Sequence, residues 1–553
     1  MKLFTLTIST LFFLLSVFVP AKSQAQCEVT GSPPNFNGSG NGDDQGTGIA
    51  VDNQNNYYVT GYSQRGTRDM VLIKYNINND RVWERYYNGT GSSEDVAVSC
   101  AVDNANNVYV AGTSAGTSST GNDIVLIKYN TNGNELWTQR YSNSGATGAF
   151  EDRAWALKLD GIGNPVIIGT SAITSSTDVH MLILKYNSAG NRIFSYIFRT
   201  NQLENNAVYY NCLDIDVNNN IYGACDRSSG GNRGTVIVKL DENGSTLWNT
   251  FPNEINLGST GGVAAIRVDN STNNIYLAAA AGSGTNYITL YKYIVGTNQP
   301  QWTYTYTINS GFSVELMIDP AGDVYLSGNE SSPISSWNIS FFKFSSSSNI
   351  PIWKNDYNTT GAYNDYVTGI TNHPDLNKLY LSARTSGGSP LGFNFCVLSI
   401  DKIDGSLDCE ITYTQANDGG ASEVTYKNNS LYICGYENIS VNNGNIKVIR
   451  LLPVIPRVTN LSSTVPTNFR LYQNYPNPFN PSTKIRFDIL KNANVYIKLY
   501  DVRGVLVREL VNSLLLPGTY ELEFEATSLP SGIYFYTLSS DNYFDKMKMA
   551  IIK

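Results

Sequence analysis

Residues Asp95 to Tyr141 constrain the fold more than any other stretch, because the chain from 27 to 453 repeats them with variations. Val96 to Val102, Val108 to Gly112, Asp123 to Tyr129 and Glu135 to Tyr141 are short runs of β-branched, aromatic and small residues. Between them stand the turn clusters Asp103 to Asn107 and Asn130 to Asn134 and a Ser/Thr/Gly-rich loop. Runs of that length favour extended backbone, and Asp, Asn and Gly are what tight turns select. The unit predicts a four-stranded antiparallel meander with tight A-B and C-D turns and a longer B-C loop.

Two independent registers fix the repeat. The residue opening the A-B turn recurs as Asp52, Asp103, Asp160, Asp216, Asp269 and Asp319, with His373 and Lys427 at the aligned places. Third strands align as MVLIKYN from Met70, IVLIKYN from Ile124, LILKYN from Leu182 and VIVKL from Val236 through to KVIRL from Lys447. An aromatic residue anchors the fourth strands at Trp83, Trp137, Phe194, Trp248, Trp302 and Trp353. A repeat of this length signals stacked supersecondary units. The last unit lacks its fourth strand, whereas FNGSGNGDDQ from Phe36 matches YNGTGSSEDV from Tyr87, the stretch that leaves a fourth strand. A lone last strand at one end and a unit missing it at the other join only in a ring. The prediction is an all-β chain whose main domain, 27 to 453, is an eight-bladed β-propeller closed by strand exchange, with seven blades as the alternative.

The pattern A-V-D-x-x-x-N-x-Y-V-x-G-x-S, then V-L-I-K-Y-N, then W, at Ala50 to Ser63 and Ala101 to Ser114, resembles the bacterial propeller repeats called SBBP. The resemblance covers the first three units best. It implies a propeller, often described as seven-bladed, and no particular chemistry.

The N-terminus reads as a secretory signal peptide, residues 1 to 25, with basic Met1-Lys2, an apolar stretch Leu3 to Val19, and small residues before a cut after Ala25. No membrane span is expected once it is removed. Export makes disulfides permissible, and Cys212 with Cys225, and Cys396 with Cys409, lie about hairpin turns where each pair could bridge or remain buried thiols. Cys27, Cys100 and Cys434 are left over. Net charge is -8 and only 15% of the residues are charged, so the chain lacks the basic footprint of a nucleic-acid binder.

Pro453 to Asn468 changes in composition, giving a linker at 454 to 468 and a separate domain at 469 to 553. Strand-like runs from Lys484 to Ile552, with turns at Arg503-Gly504 and Pro517-Gly518, predict a small Ig-like β-sandwich. NYPNPFNPSTKIRF from Asn474, KLYDVRGVLVREL from Lys498, LPSGIYFYTL from Leu529 and the terminal KMKMAIIK resemble the type A C-terminal sorting domain of the type IX secretion system. The residues carrying that motif are Tyr475, Pro476, Asn477, Pro478, Phe479, Gly504, Gly532 and Tyr534. The resemblance implies the type IX machinery as a partner, export across a Gram-negative outer membrane, and a place on the cell surface or in the medium.

Chemistry is sparse. Gly112 to Gly116 matches G-x-S-x-G, but it is the repeat's own strand exit, echoed at Gly61-Tyr62-Ser63 and Gly169-Thr170-Ser171, without the strand-to-helix turn that a nucleophile elbow needs. His180 and His373 fall in different units with no companion for a metal or relay. The DNQNN and DNANN turns lack the Gly and Glu of a calcium loop, and tight turns alone account for them. Asp44, Asp95, Asp152 and Asp365 stand at matching places where the innermost strand begins. They are placed either to cap their own D-A loops or to form an acidic ring at the channel mouth, with Ca2+ or a basic group as its occupant. The repeated Lys74, Lys128, Lys185, Lys239, Lys292 and Lys343 read as solvent-facing strand positions.

The sequence therefore predicts an exported, non-enzymatic binding protein that recognises a glycan or protein through its unequal B-C and D-A loops, with no metal centre or cofactor required. Two other classes compete: a secreted hydrolase or lyase acting on polysaccharide or peptide with acidic residues at the channel mouth, and a structural surface protein with no discrete ligand.

Overall fold

The computed structural model describes residues 32–552 apart from 92, 117–120, 144–150, 175–177, 200–210, 230–231, 251–261, 283–285, 298, 309–312, 332–336, 359–363, 374–376, 387–391, 414–417, 429, 441–442, 452–457, 463, 505, 527–528 and 541–542. The expected signal peptide and Cys27 lie outside the described residues, as do parts of the B-C and D-A loops. Among the described residues there is no helix, and none is therefore long and apolar enough to cross a membrane.

Among the described residues from 32 to 451, eight antiparallel sheets follow one another, each a meander of strands in sequence order. The first is Asp44–Val51, Tyr57–Gln64, Arg68–Tyr75 and Arg81–Tyr87, and the eighth is the three-stranded Gly419–Lys427, Ser430–Ser440 and Asn443–Leu451. First strands pack on one another from sheet to sheet, and Gly419–Lys427 packs back on Asp44–Val51. Closure is written in hydrogen bonds: Phe36 and Ile446 exchange both backbone bonds at 2.9 Å, Lys427 Nζ donates to the Val51 carbonyl at 2.8 Å, and Asn428 donates to Asn55 at 2.6 Å. Phe36 is buried in one core with Tyr57, Tyr432 and Ile446. The array is thus a β-propeller. Among the described residues the N-terminal segment contributes a single bridge at Phe36.

The repeat residues explain the turns. Asp52 Oδ1 accepts the amides of Gln54 and Asn56 at 2.8 and 2.9 Å, Tyr58 reaches its other oxygen at 3.2 Å, and Asn55 takes the left-handed φ of 64° that Asn tolerates. Asp103, Asp160, Asp216 and Asp319 make the same pair of amide bonds. These aspartates are turn builders.

The third-strand lysines do not face solvent as the sequence suggested. Lys74, Lys128, Lys185 and Lys292 are buried, and each crosses to the next sheet, where its ammonium donates to the C-D turn carbonyl of Thr131, Ser188, Glu242 or Ser346 at 2.6 to 2.9 Å. Lys128, Lys185 and Lys239 also pair with their own turn aspartates, Asp103, Asp160 and Asp216. The fourth-strand indoles join in: Trp83, Trp137 and Trp353 donate to the carbonyls of Thr131, Ser188 and Lys402 at 3.1 to 3.2 Å. Gly133, at φ 78°, lies so close over Trp83 that a Cβ there would sit 2.8 Å from the ring. Arg450 replaces the lysine in the eighth sheet and donates to the Ile77 carbonyl of the first, carrying the latch across the closure. Ser399 occupies the lysine place in the seventh sheet, whose neighbour shows no C-D turn among the described residues.

Neither hairpin disulfide forms. Cys212, Cys225 and Cys396 are thiols, while Cys409 is disulfide-bonded. Cys212 lies opposite Ala224, so Cys225 projects from the other face of the sheet. Cys409 pairs with Ser399 and Cys396 with Thr412, which sets the two sulfurs rows apart.

The C-terminal part has two four-stranded sheets around one core of Phe487, Val495, Leu522, Tyr536 and Met549 among others. Val458–Ser462, inside the expected linker, pairs antiparallel with Gly518–Glu525, so the sheet begins earlier than composition suggests. Of the motif residues, Phe479 is buried and exchanges backbone bonds with the last strand, accepting from Ile552 at 3.0 Å and donating to Ala550 at 3.1 Å. Asn477 accepts the Ala550 amide at 2.9 Å, and the Tyr475-Pro476 and Asn477-Pro478 peptides are cis. Gly504 takes φ 77° in the Asp501 turn, Gly532 opens the strand Gly532–Ser540, Tyr534 donates to the Pro530 carbonyl, and Tyr475 is 80% exposed.

Candidate functional site

The ring encloses a central channel whose cavity measures about 830 Å3 and is walled by first strands. Six of these strands carry a β-bulge at one register, which leaves Thr47, Val98, Trp155, Ala264, Thr368 and Ser422 unpaired. All six line the cavity. A bulge re-aims a side chain, and here the device turns one residue per strand inward.

The position after the bulge, four residues before the A-B turn, reads Gly48, Ser99, Ala156, Cys212, Ala265, Glu315, Gly369 and Glu423. Small residues suit the narrow axis, and the two glutamates break the pattern. Glu315 accepts from Asn211 Nδ2 on both oxygens at 3.0 Å, and Arg267 donates to Asn211 Oδ1 at 3.2 Å. Burial pushes Glu315 up to about 7 against the pull of Arg267 and Asn211. Burial pushes Glu423 to about 7 as well; the Ile49 amide at 2.9 Å opposes this and the charge of Glu315 adds to it.

Two positions further on, the same register holds Lys158, Asp214 and Arg267 in consecutive sheets. Lys158 Nζ lies 2.6 Å from Asp214, which also accepts the Val268 amide at 2.8 Å. Burial would raise Asp214, but Lys158 and Arg267 outweigh it and hold the carboxyl below its ordinary range. The third, fifth, sixth and eighth sheets thus present Trp155, Arg267, Glu315 and Glu423 to the channel, whereas the first two line it with Gln45, Thr47, Val98 and Ser99.

None of these residues was singled out from the sequence, because attention fell on what repeats. The signal was present in the registers four and two residues before the turn, where charged residues replace small ones.

The expected acidic positions behave differently. Asp44 accepts the amides of Gly38 and Gln64 at 2.6 and 3.1 Å, Asp95 those of Gly89 and Ala115 at 2.8 and 3.1 Å, and Asp152 that of Asn143 at 2.8 Å. All four aspartates are buried, and Asp365 accepts from Asn329 through its backbone carbonyl. Burial raises Asp44, and takes Asp152 to about 6. Among the described residues no group of three or more His, Cys, Asp or Glu side chains is gathered to hold a metal. Ser114 of the G-x-S-x-G match is buried beside Arg140, which donates to its hydroxyl at 3.0 Å. His180 sits 2.8 Å from Asp178, and His373 lies 3.0 Å from the Tyr426 hydroxyl.

Residues 473–553 match the family model described as a secretion system C-terminal sorting domain. The chain therefore carries a type IX sorting domain, the address for export across the outer membrane. No curated protein matches the chain. Among solved structures, an ulvan lyase from a new polysaccharide lyase family is 10% identical with TM-score 0.39, the match covering 76% of this chain and 96% of the other. Hydrazine synthase of Kuenenia stuttgartiensis is 11% identical at 0.36, covering 62% and 93%. The β-propeller domain of the Trilobed protease from Pyrococcus furiosus, described as having an open velcro topology, is 9% identical at 0.34, covering 62% and 89%.

Proposed function

We propose that the protein is an exported, eight-bladed propeller of SBBP-like repeats that works at the cell surface as a binding protein rather than an enzyme. It holds part of a glycan or protein in the channel cavity, with the B-C and D-A loops as the rim that selects. One observation carries this reading: the scaffold residues repeat around the ring, while the inward-facing residues do not. Unequal groups on an equal frame are where specificity resides. A cavity of about 830 Å3 falls in the usual range of small-ligand sites. The C-terminal sandwich, Ig-like in this reading, serves delivery, and the four buried aspartates serve the D-A loops.

The test is binding of the purified protein to arrays of glycans and of envelope and matrix proteins. Saturable binding that falls at least tenfold when the channel is plugged by Thr47→Trp with Ser422→Trp is the expected result. Binding indifferent to the plug would move recognition to the outer surface, and silence on every array would favour a structural role. A hydrolase or lyase is the second reading, favoured by Glu315 and Glu423 standing near 7, where carboxyls exchange protons at neutral pH. Turnover of any polysaccharide or peptide that Glu315→Gln abolishes would establish it.

A further inference from the structure

We infer that the channel cavity takes a short neutral oligosaccharide, whose hydroxyls are read by the Arg267–Asn211–Glu315 array and whose ring face stacks on Trp155. This rests on the binding reading above and names the ligand class of that same site. Glu315 accepts from Asn211 Nδ2 on both oxygens at 3.0 Å, and Arg267 Nη2 donates to Oδ1 of the same amide at 3.2 Å. One side-chain amide thus holds a guanidinium and a carboxyl side by side, and all three residues line the cavity. Arg267 is also fixed by the carbonyls of Asn211 and Ile266 at 3.2 and 2.7 Å. These bonds occupy at most three of the five N–H groups of an arginine, and a carboxyl has more lone pairs than the two that Asn211 takes. A hydroxyl donates and accepts at once, so the neighbouring hydroxyls of a sugar match a donor standing beside an acceptor.

The charges of the wall balance. Arg267, Arg384, Glu315 and Glu423 are the charged residues that line the cavity, two of each sign. Each cation there is tied to a carboxyl by a short chain of hydrogen bonds. Arg267 reaches Glu315 through Asn211, and Arg384 lies over the Tyr436 ring at 4.8 Å and donates to its hydroxyl, which in turn donates to Asp418 at 3.0 Å. An ionic ligand of either sign gains at one pair of residues and loses at the other, whereas an uncharged one meets no net opposing field. A carboxyl also serves a hydroxyl whether ionised or protonated.

Trp155 supplies the flat apolar surface. Its bulge leaves it unpaired, and it lines the cavity while packing against the core of the third and fourth sheets. Its indole nitrogen donates back to Thr170 of its own sheet at 3.4 Å, so the ring and not the N–H is what it offers. The face of an indole is negative, and the C–H face of a pyranose, slightly positive, lies well on it. A cavity of about 830 Å3 with one aromatic wall and a few fixed polar groups has the make-up of a small-molecule site, and its volume exceeds a single sugar ring.

The experiment is calorimetric titration of the whole purified protein at pH 7.5 with neutral and charged probes: cellotriose, mannotriose and galactotriose on one side, the trimers of glucosamine and galacturonic acid on the other. At least one neutral trimer is expected to bind at least tenfold more tightly than either charged one, and to keep its affinity within about twofold from low to molar salt, since no ion pair is there to screen. Trp155→Ala should cost tenfold or more in affinity, and Trp155→Phe, which keeps a ring, about threefold or less. Glu315→Leu, similar in size and unable to hydrogen-bond, should cost tenfold or more; if it does not fold, the two Trp155 variants decide. Failure of all three neutral trimers, a charged trimer that binds as tightly, or neutral binding untouched by Trp155→Ala or by the channel plug overturns the inference. In those cases array binding that is blocked by the channel plug still leaves the binding reading standing, and its absence removes both.

Discussion

Glu315 and Glu423 carry a cost that depends on pH. Burial raises both to about 7, so the folded protein holds protons that the unfolded chain releases near the ordinary carboxyl value of 4.5. A carboxyl whose folded value is raised contributes a penalty that grows as pH climbs from the unfolded value to the folded one. Stability from this pair is therefore expected to fall between about pH 5 and pH 8, by up to about 3 kcal/mol for each group. Asn211 and Arg267 face Glu315, the Ile49 amide faces Glu423, and the charge of Glu315 adds to the rise at Glu423. Thermal unfolding of Glu315→Gln and Glu423→Gln beside the parent isolates the effect: the variants should gain stability over the parent as pH rises, and parallel curves would refute it. Glycine at the same register in the first and seventh sheets shows why sequence reading passed these residues over. A repeat is found by what recurs, and a departure acquires meaning only once the bulge shows that its register faces the channel.

The four-stranded meander was legible in the strand runs and Asp-Asn turns because both signals are local. The latch between sheets was not, since the two-residue alternation of a strand gives a side chain's face and not the place its tip reaches. Lys185 shows the gap: it is 2% exposed, with its ammonium 2.9 Å from the Glu242 carbonyl and 2.9 Å from Asp160. Lys185→Met is expected to destabilise the propeller by about 3 kcal/mol, since it leaves a buried carboxylate without its cation. A melting temperature unchanged by that substitution would mean that the turn amides hold Asp160 alone. Gly133→Ala tests the other half of the latch. A left-handed φ costs alanine about 1 kcal/mol, and the contact with Trp83 at 2.8 Å adds more, for about 2–3 kcal/mol in total. Gly163→Ala has a similar φ of 86° and meets nothing closer than 3.6 Å, so it should cost only the backbone share. Equal losses at the two glycines would remove the Trp83 contact from the account.

Ring closure was legible from the mismatch between the chain's two ends, and among the described residues the joint is one bridge at Phe36. Phe36 is 2% exposed and bonds both ways to Ile446, so Phe36→Ala should cost about 3–5 kcal/mol and open the first and eighth sheets to protease. Cleavage spread evenly around the ring would deny it that role. The C-terminal boundary was legible only in part, because the linker composition of 454 to 468 conceals the strand Val458–Ser462. That strand covers one side of Gly518–Glu525, and a sorting unit cut at 473 would leave the longer strand as a bare edge. Bare edges invite pairing between chains, which competes with passage through an export machine. A reporter joined to residues 458–553 should therefore reach the medium or surface of a type IX-competent host several-fold more efficiently than one joined to 473–553, the segment that matches the family model. Equal export would show that the working address ends where the family match does and that Val458–Ser462 serves only the sheet.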